Sequence, residues 1–380
     1  LFREAGIQWV MYPVWYEKGQ REEGQRLGDL AERLTLERME MIALIDEPPA
    51  SQRQDFSRVE QGISATLRDK EIWLPAIEHV LNRLSFKIDW WQLGAPEDDS
   101  FVGQSALDRK VREIRDHMQR FGKNIRVGLV WDWLHETPYI EPKSSSNGTA
   151  DERSAGVIPG VTTTPWDYLL RATSTPLTAA EMSRYLAAGE SDSASLWTTL
   201  QPLDREHYDL SSRVRDLVER MVVVRIRSTD VVMVPEPFST YHGILNDDLS
   251  PTELLLPFRT TAFALADSTY LGSLRLPAGS TNHLFLRGGE IVMVVWNDRP
   301  TVETLAIGDP LRTGDCWGRV SELPAEQGRT QVPVGQEPMF VTGLDPQLVA
   351  WQMRSRLDRD LIDSIIGRDQ RLAVLFENTL

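Results

Sequence analysis

Cysteine is almost missing from this chain, with one residue, Cys316, in 380. A single thiol closes no internal disulfide and builds no Cys-rich zinc site. A chain of this length buries enough surface to fold without either staple. Positive charge is also short: Lys and Arg number 41 against 56 Asp and Glu, for a formal net charge of −15. A nucleic-acid partner would need Lys and Arg concentrated on its phosphates. No apolar run approaches the roughly 18 residues of a membrane span. The six His, at 79, 117, 135, 207, 242 and 283, fall in no metal-ligand spacing, and no Gly-rich phosphate-cradling turn follows an early strand. These absences set aside nucleic acid, a membrane span, a metal and a nucleotide. No cofactor is expected.

What the chain does have is alternation. Apolar strand-like runs begin at Ile7, Met41, Ile88, Ile125, Asp167, Ser195 and Asp230, 28 to 47 residues apart. That spacing holds one strand, one helix and two loops. Runs such as Met41-Ile42-Ala43-Leu44-Ile45 and Val231-Val232-Met233-Val234 are nearly continuous in apolar residues, as strands covered on both faces are. Between them lie helical stripes: Trp73, Ile77, Val80, Leu81 and Leu84, then Leu107, Val111, Ile114 and Met118, then Leu210, Val214, Leu217 and Met221. Ser250-Pro251-Thr252-Glu253 reads as a capping box that starts a further helix over 254–266. Seven strands with right-handed crossovers make either an open doubly wound sheet or a (β/α)8 TIM barrel lacking its first unit. An open sheet would advertise a phosphate turn. The strand ends here are aromatic and acidic instead, which favours the barrel.

Residues 142–160 are polar, rich in Gly and Pro, and replace an expected helix; they read as a long surface loop or lid. Within them Asn147-Gly148-Thr149 matches a glycosylation acceptor. After Ala266 short strands follow one another, at 270–276, 283–286, 290–296, 301–307, 330–334, 339–341 and 349–353, with Gly288-Gly289 as a hairpin turn. This implies a small antiparallel β-sandwich with no helix before residue 354. The expected domains are a barrel over 1–267, a sandwich over 268–354, and a linker over 355–380 toward further domains of the same polypeptide.

The string Lys87-Ile88-Asp89-Trp90-Trp91-Gln92-Leu93-Gly94, followed by an acidic cluster, resembles the fourth strand of clan A glycoside hydrolase barrels. Residues 243–251 resemble the loop before the last barrel helix of such enzymes, and the segment around Val294-Val295-Trp296-Asn297 resembles the small sandwich many of them carry. The resemblance implies a carbohydrate partner, an extracellular or periplasmic location, an acid/base Glu after the fourth strand and a nucleophilic Glu after the seventh. This chain departs at both positions. Asn-Glu is absent after Gly94, where Glu97 stands nearby, and the nucleophile position holds Gln201. An amide carries no negative charge and cannot attack an anomeric carbon as a carboxylate does. Two readings follow: a glycosidase with a non-standard carboxylate pair, or a catalytically inactive barrel that binds glycan or serves as a structural module.

Glycoside hydrolysis needs two carboxylates across the scissile bond, about 5–5.5 Å apart for retention and about 6.5–9.5 Å for inversion. In a barrel all strand C-termini share one face. Glu97 with Glu236 is the expected pair, since Glu236 directly follows the apolar run of the last strand. Asp46, Asp132, His135 and Gln201 are expected to line the substrate site. Trp15, Trp91, Trp131 and Trp133 at strand ends offer flat faces to a pyranose. The alternation Trp131-Asp132-Trp133 sets the two Trp on one face and Asp132 on the other.

Overall fold

The computed structural model describes residues 2–56, 62–138, 164–172, 177–188, 194–227, 229–308, 310–357 and 373–376. The polar stretch 142–160 and its glycosylation motif lie outside these residues. The chain forms two compact units, Leu1–Pro202 with Thr229–Gly243, and Leu203–Ser228 with Ile244–Leu380. Element order alone would divide the chain near residue 267; packing instead groups the two helices at 210–226 and 255–265 with the later β-strands.

The first unit carries seven strands: β1 (Trp9–Pro13), β2 (Glu40–Ile45), β3 (Trp90–Leu93), β4 (Arg126–Asp132), β5 (Tyr168–Ala172), β6 (Ser195–Thr199) and β7 (Val231–Met233). Each pairs in parallel with the next in chain order. Helices α1 (Arg21–Leu36), α2 (Ile63–Thr66), α3 (Lys70–Leu84), α4 (Leu107–Met118) and α5 (Ala179–Ala188) lie between them. The sheet is curled. Five strand steps of about 4.8 Å would hold β1 and β6 about 24 Å apart in a flat sheet. The rings of Trp9 on β1 and Trp197 on β6 nevertheless meet at 5.2 Å between centroids.

Alternation assigns the two faces of this curled sheet. Outside, Met41, Ala43, Ile45, Trp91, Leu93, Val127, Leu129 and Trp131 share one core with Leu27, Ala31 and Leu34 of α1, the α3 stripe and the α4 stripe. Inside, Trp9, Met11, Ile42, Trp90, Tyr168, Leu170, Trp197, Val231 and Met233 form a separate cluster. A floor of four rings fills the lumen: Trp9 meets Trp90 edge-on at 5.1 Å, Trp90 meets Trp197 at 5.2 Å, and Tyr168 stacks on Trp197 at 3.7 Å. Gly128 of β4 leaves the room the Tyr168 ring occupies, since a Cβ there would overlap that ring.

In the second unit, α6 (Leu210–Ile226) begins at Asp209, whose carboxylate accepts from Ser212 N at 2.8 Å, and α7 spans Leu255–Leu265. The expected capping box does not form. Ser250 is held by a side-chain bond from Asn246, its backbone N–H goes to Asp248, and α7 starts beyond it. The β-strands are β8 (Thr269–Gly272), β9 (Thr281–Arg287), β10 (Glu290–Trp296), β11 (Thr301–Leu305), β12 (Leu311–Asp315), β13 (Val320–Leu323), β14 (Ala325–Glu326), β15 (Arg329–Val334) and β16 (Met339–Leu344). One antiparallel sheet runs β13-β12-β16-β10-β9-β8 and a second runs β11-β15-β14. Leu284, Met293 and Val341 of the first share a core with Leu305, Val332 and Val334 of the second. The β9–β10 turn is Gly288-Gly289, with φ of 56° and 90°, the left-handed pair that a two-residue hairpin needs. The strand expected at 349–353 is instead helix α8 (Pro346–Arg354), capped by the Asp345 carboxylate on Gln347 N and Leu348 N. Past it, β17 (Ser355–Leu357) pairs with β18 (Val374–Phe376), where the sequence reads as linker. No helix among the described residues is long and apolar enough to cross a membrane.

Candidate functional site

All seven strands point their C-terminal ends the same way, because each is parallel to the next. The inward alternation established by Ile42, Trp90, Gly128, Tyr168 and Trp197 reaches Asp132 at the end of β4, Ala172 of β5 and Thr199 of β6, while Asp46, Gly94 and Gln201 stand just past the ends of β2, β3 and β6. The polar residues on this inward register at this end are therefore Gln92 of β3, Asp132 of β4 and Thr199 of β6.

The Asp46 carboxyl is raised above the ordinary Asp range first by burial, then by the charges of Glu47 and Asp98, against lowering bonds from the Glu47 and Ala95 backbone N–H groups. The strand-end loops around it are fixed. Gly94 turns at φ 88°, and Asp98 accepts from Ile63 N at 2.7 Å and Ser100 N at 2.8 Å. Glu47 forms an ion pair with Arg53 at 2.8 Å. Glu97 is exposed on this loop. Glu236 is exposed beyond β7 with φ 47°. A non-glycine residue held in the left-handed region costs on the order of 1–3 kcal/mol, and such strain clusters at functional positions.

At the end of β4, Asp132 Oδ2 lies 3.4 Å from His135 Nδ1. Trp133 is half-buried and meets Tyr185 of α5 edge-on at 6.3 Å. Behind them Arg171 of β5 is fully buried, lies 4.3 Å over the Tyr185 ring and donates to its hydroxyl at 2.8 Å. Burial raises the Tyr185 hydroxyl, Arg171 lowers it, and the charge of Asp132 raises it further.

The four tryptophans separate. Trp91 is fully buried in the outer core with its indole N–H on Ile88 O, and Trp131 is buried there too, donating to Glu136 O at 2.8 Å. Neither has a face to offer a sugar. A strand covered on both sides gives no sequence signal of which face is lumen. Trp15 packs against Phe56 at 5.9 Å. The indole N–H groups of Trp15 and Trp133, and the side-chain carbonyl of Gln92, are buried and have no protein hydrogen-bond partner. Buried polar groups are nearly always paired; Gln92 belongs to the inward register of β3, whereas Trp15 packs against the outer core.

Gln92, Arg171, Tyr185 and the exposed Phe238 and Tyr241 past β7 are absent from the sequence-derived set. For Gln92 and Arg171 a signal existed, a polar side chain inside an otherwise apolar strand. Among the described residues no group of His, Cys, Asp and Glu has a metal-holding arrangement.

No protein-family model matches the chain, and no curated protein matches it. Solved structures do match in fold. A family 39 glycoside hydrolase from the gut symbiont Bacteroides cellulosilyticus WH2 has a TM-score of 0.59 at 13% identity, over 90% of this chain and 76% of that one. A family 30 subfamily 8 xylanase from Clostridium acetobutylicum has a TM-score of 0.54 at 10% identity, over 90% and 91%. A family 30 endoxylanase from Clostridium papyrosolvens C71 has 0.53 at 11%, over the same shares. The chain thus shares the fold of these glycoside hydrolase structures, a parallel α/β barrel sheet with additional antiparallel β-sheets.

Proposed function

We propose that the C-terminal mouth of this barrel acts on carbohydrate, its seven strands occupying the second to eighth places of an eight-unit barrel. The observation that carries the reading is Asp46, a carboxyl directly after β2 that is raised by burial and by two neighbouring acids. A carboxyl that keeps its proton to higher pH is what protonating a glycosidic oxygen requires. Glu97 and Glu236 are the proposed pair flanking the bond. The strained backbone at Glu236 supports its choice, and Glu97 adjoins Asp98, which acts electrostatically on Asp46. In this scheme Asp46 and Glu97 occupy one corner of the mouth and supply the proton. Glu236 works from the β7 side, as nucleophile or as the base that activates water. The orphan N–H groups of Trp15 and Trp133 would donate to sugar hydroxyls.

A second reading rests on Gln201. Its place after β6 is the one where the resemblance sets the nucleophile, and an amide there favours a barrel that holds a glycan without cleaving it.

The test is turnover of a panel of aryl glycosides, with oligosaccharide binding measured calorimetrically, on the wild type and on Asp46→Asn, Glu97→Gln and Glu236→Gln. Loss of about 10²–10⁴ in kcat from an acid–base residue, with KM little changed, is the expected result. Binding without turnover establishes the second reading, and neither binding nor turnover removes carbohydrate altogether.

A further inference from the structure

Away from the lumen, a recess of about 220 Å³ opens between the starts of α3 and α4. In a chain of net charge −15, its wall carries four basic side chains, Arg68, Lys70, Arg109 and Lys110, and one carboxylate, Glu113. Trp73, almost fully buried, closes its floor. Like charges gathered in a partly enclosed space repel, and this repulsion is visible at Lys110. Its ammonium is pushed below the ordinary Lys range first by burial and next by the charge of Arg68, while Asp69 and Glu113 act the other way. One N–H of that ammonium goes to Ser64 O at 2.7 Å, and a lysine has three to give. The recess also receives the start of the twelve-residue α4, which has no side-chain cap at Ala106, so the positive end of its dipole adds to the field.

We propose that this recess binds a phosphate or sulfate group, either as the free anion or as an ester carried on a saccharide. A tetrahedral dianion placed among Arg68, Lys70, Arg109 and Lys110 relieves their mutual repulsion and accepts charge-assisted hydrogen bonds. The floor and wall leave room for the small group it is attached to. The site stands independently of the carbohydrate reading: inorganic phosphate can bind here whether or not the barrel mouth takes a sugar.

The experiment is calorimetric and NMR titration of the whole chain with inorganic phosphate, inorganic sulfate and a phosphorylated monosaccharide, at constant ionic strength made up with chloride. Saturable binding that moves the amide resonances of Leu107 to Lys110 is expected. Lys110→Gln should weaken it about tenfold, the scale of one charge-assisted bond. Glu113→Gln removes a carboxylate from the wall and should tighten it, a gain that a merely damaged fold would not give. Tighter binding of the sugar phosphate than of phosphate assigns the ester as ligand; equal binding assigns the free anion. No saturable binding by the wild type, or affinity unchanged in both variants, overturns the proposal.

Discussion

Gly128→Ala is the smallest change that should break the barrel from within. Gly128 faces the lumen, and a methyl group on it would overlap Cζ, Cε1 and Cε2 of the Tyr168 ring. That ring has nowhere to retreat. It is fully buried, stacked on Trp197 at 3.7 Å and held by Trp90 at 5.6 Å. Overpacking a core costs about 1–3 kcal/mol, and a clash with three atoms of an immobile ring belongs at the upper end, about 3 kcal/mol. For a unit of roughly 200 residues each kcal/mol lowers Tm by about 2–4 °C, giving a fall of about 6–12 °C. Thermal unfolding followed by near-UV circular dichroism is the assay, since the four packed rings give the barrel its own aromatic signal. Adding Tyr168→Leu, which withdraws the ring, should recover part of the loss. Wild-type melting by Gly128→Ala, or no recovery in the double variant, would refute the assigned packing of the lumen floor.

Three further outcomes are expected. Asp46 has its carboxyl raised by folding, so its contribution to stability is full below the unfolded Asp value of about 3.9 and is lost as pH rises past its folded value. Asp46→Asn should therefore be more stable than wild type to urea at neutral pH, with the gap closing on acidification. The Cys316 thiol is buried, donates to Pro338 O at 2.7 Å and is pushed up to about 12 by burial and by the charges of Glu337 and Asp315. It should react with a thiol reagent only after denaturant is added, and prompt labelling of the native protein would contradict its placement. Glu303 is buried and accepts from Ala278 N and Ser280 N, each at 3.0 Å. Glu303→Ala should cost about 2–3 kcal/mol in chemical denaturation by orphaning two backbone donors.

The strand order of the barrel was readable because parallel strands covered on both faces leave long apolar runs, and their spacing leaves room only for one crossover each. The same continuity hid the interior. Trp91 and Trp131 sit at strand ends like Trp15 and Trp133, yet they turn toward the helices, and no pattern in an all-apolar strand tells that side from the lumen. Val349–Met353 reads as a strand because it is short and apolar. The Asp345-Pro346 pair that caps a helix there was the better signal. Strands β12 and β13 leave no apolar run, because Arg312, Ser321 and Glu322 are exposed polar residues and Gly314 has no side chain. Among the site residues, Asp46 and Asp132 were legible as acids at strand ends. The raised carboxyl of Asp46 was not, since it depends first on burial and then on neighbours that include Asp98, fifty-two positions away in the chain.

The ring floor of Trp9, Trp90, Tyr168 and Trp197 ties β1, β3, β5 and β6 together from within the barrel. β1 and β3, or β3 and β6, share no backbone ladder, so these rings lace the barrel across its interior where hydrogen bonds do not reach.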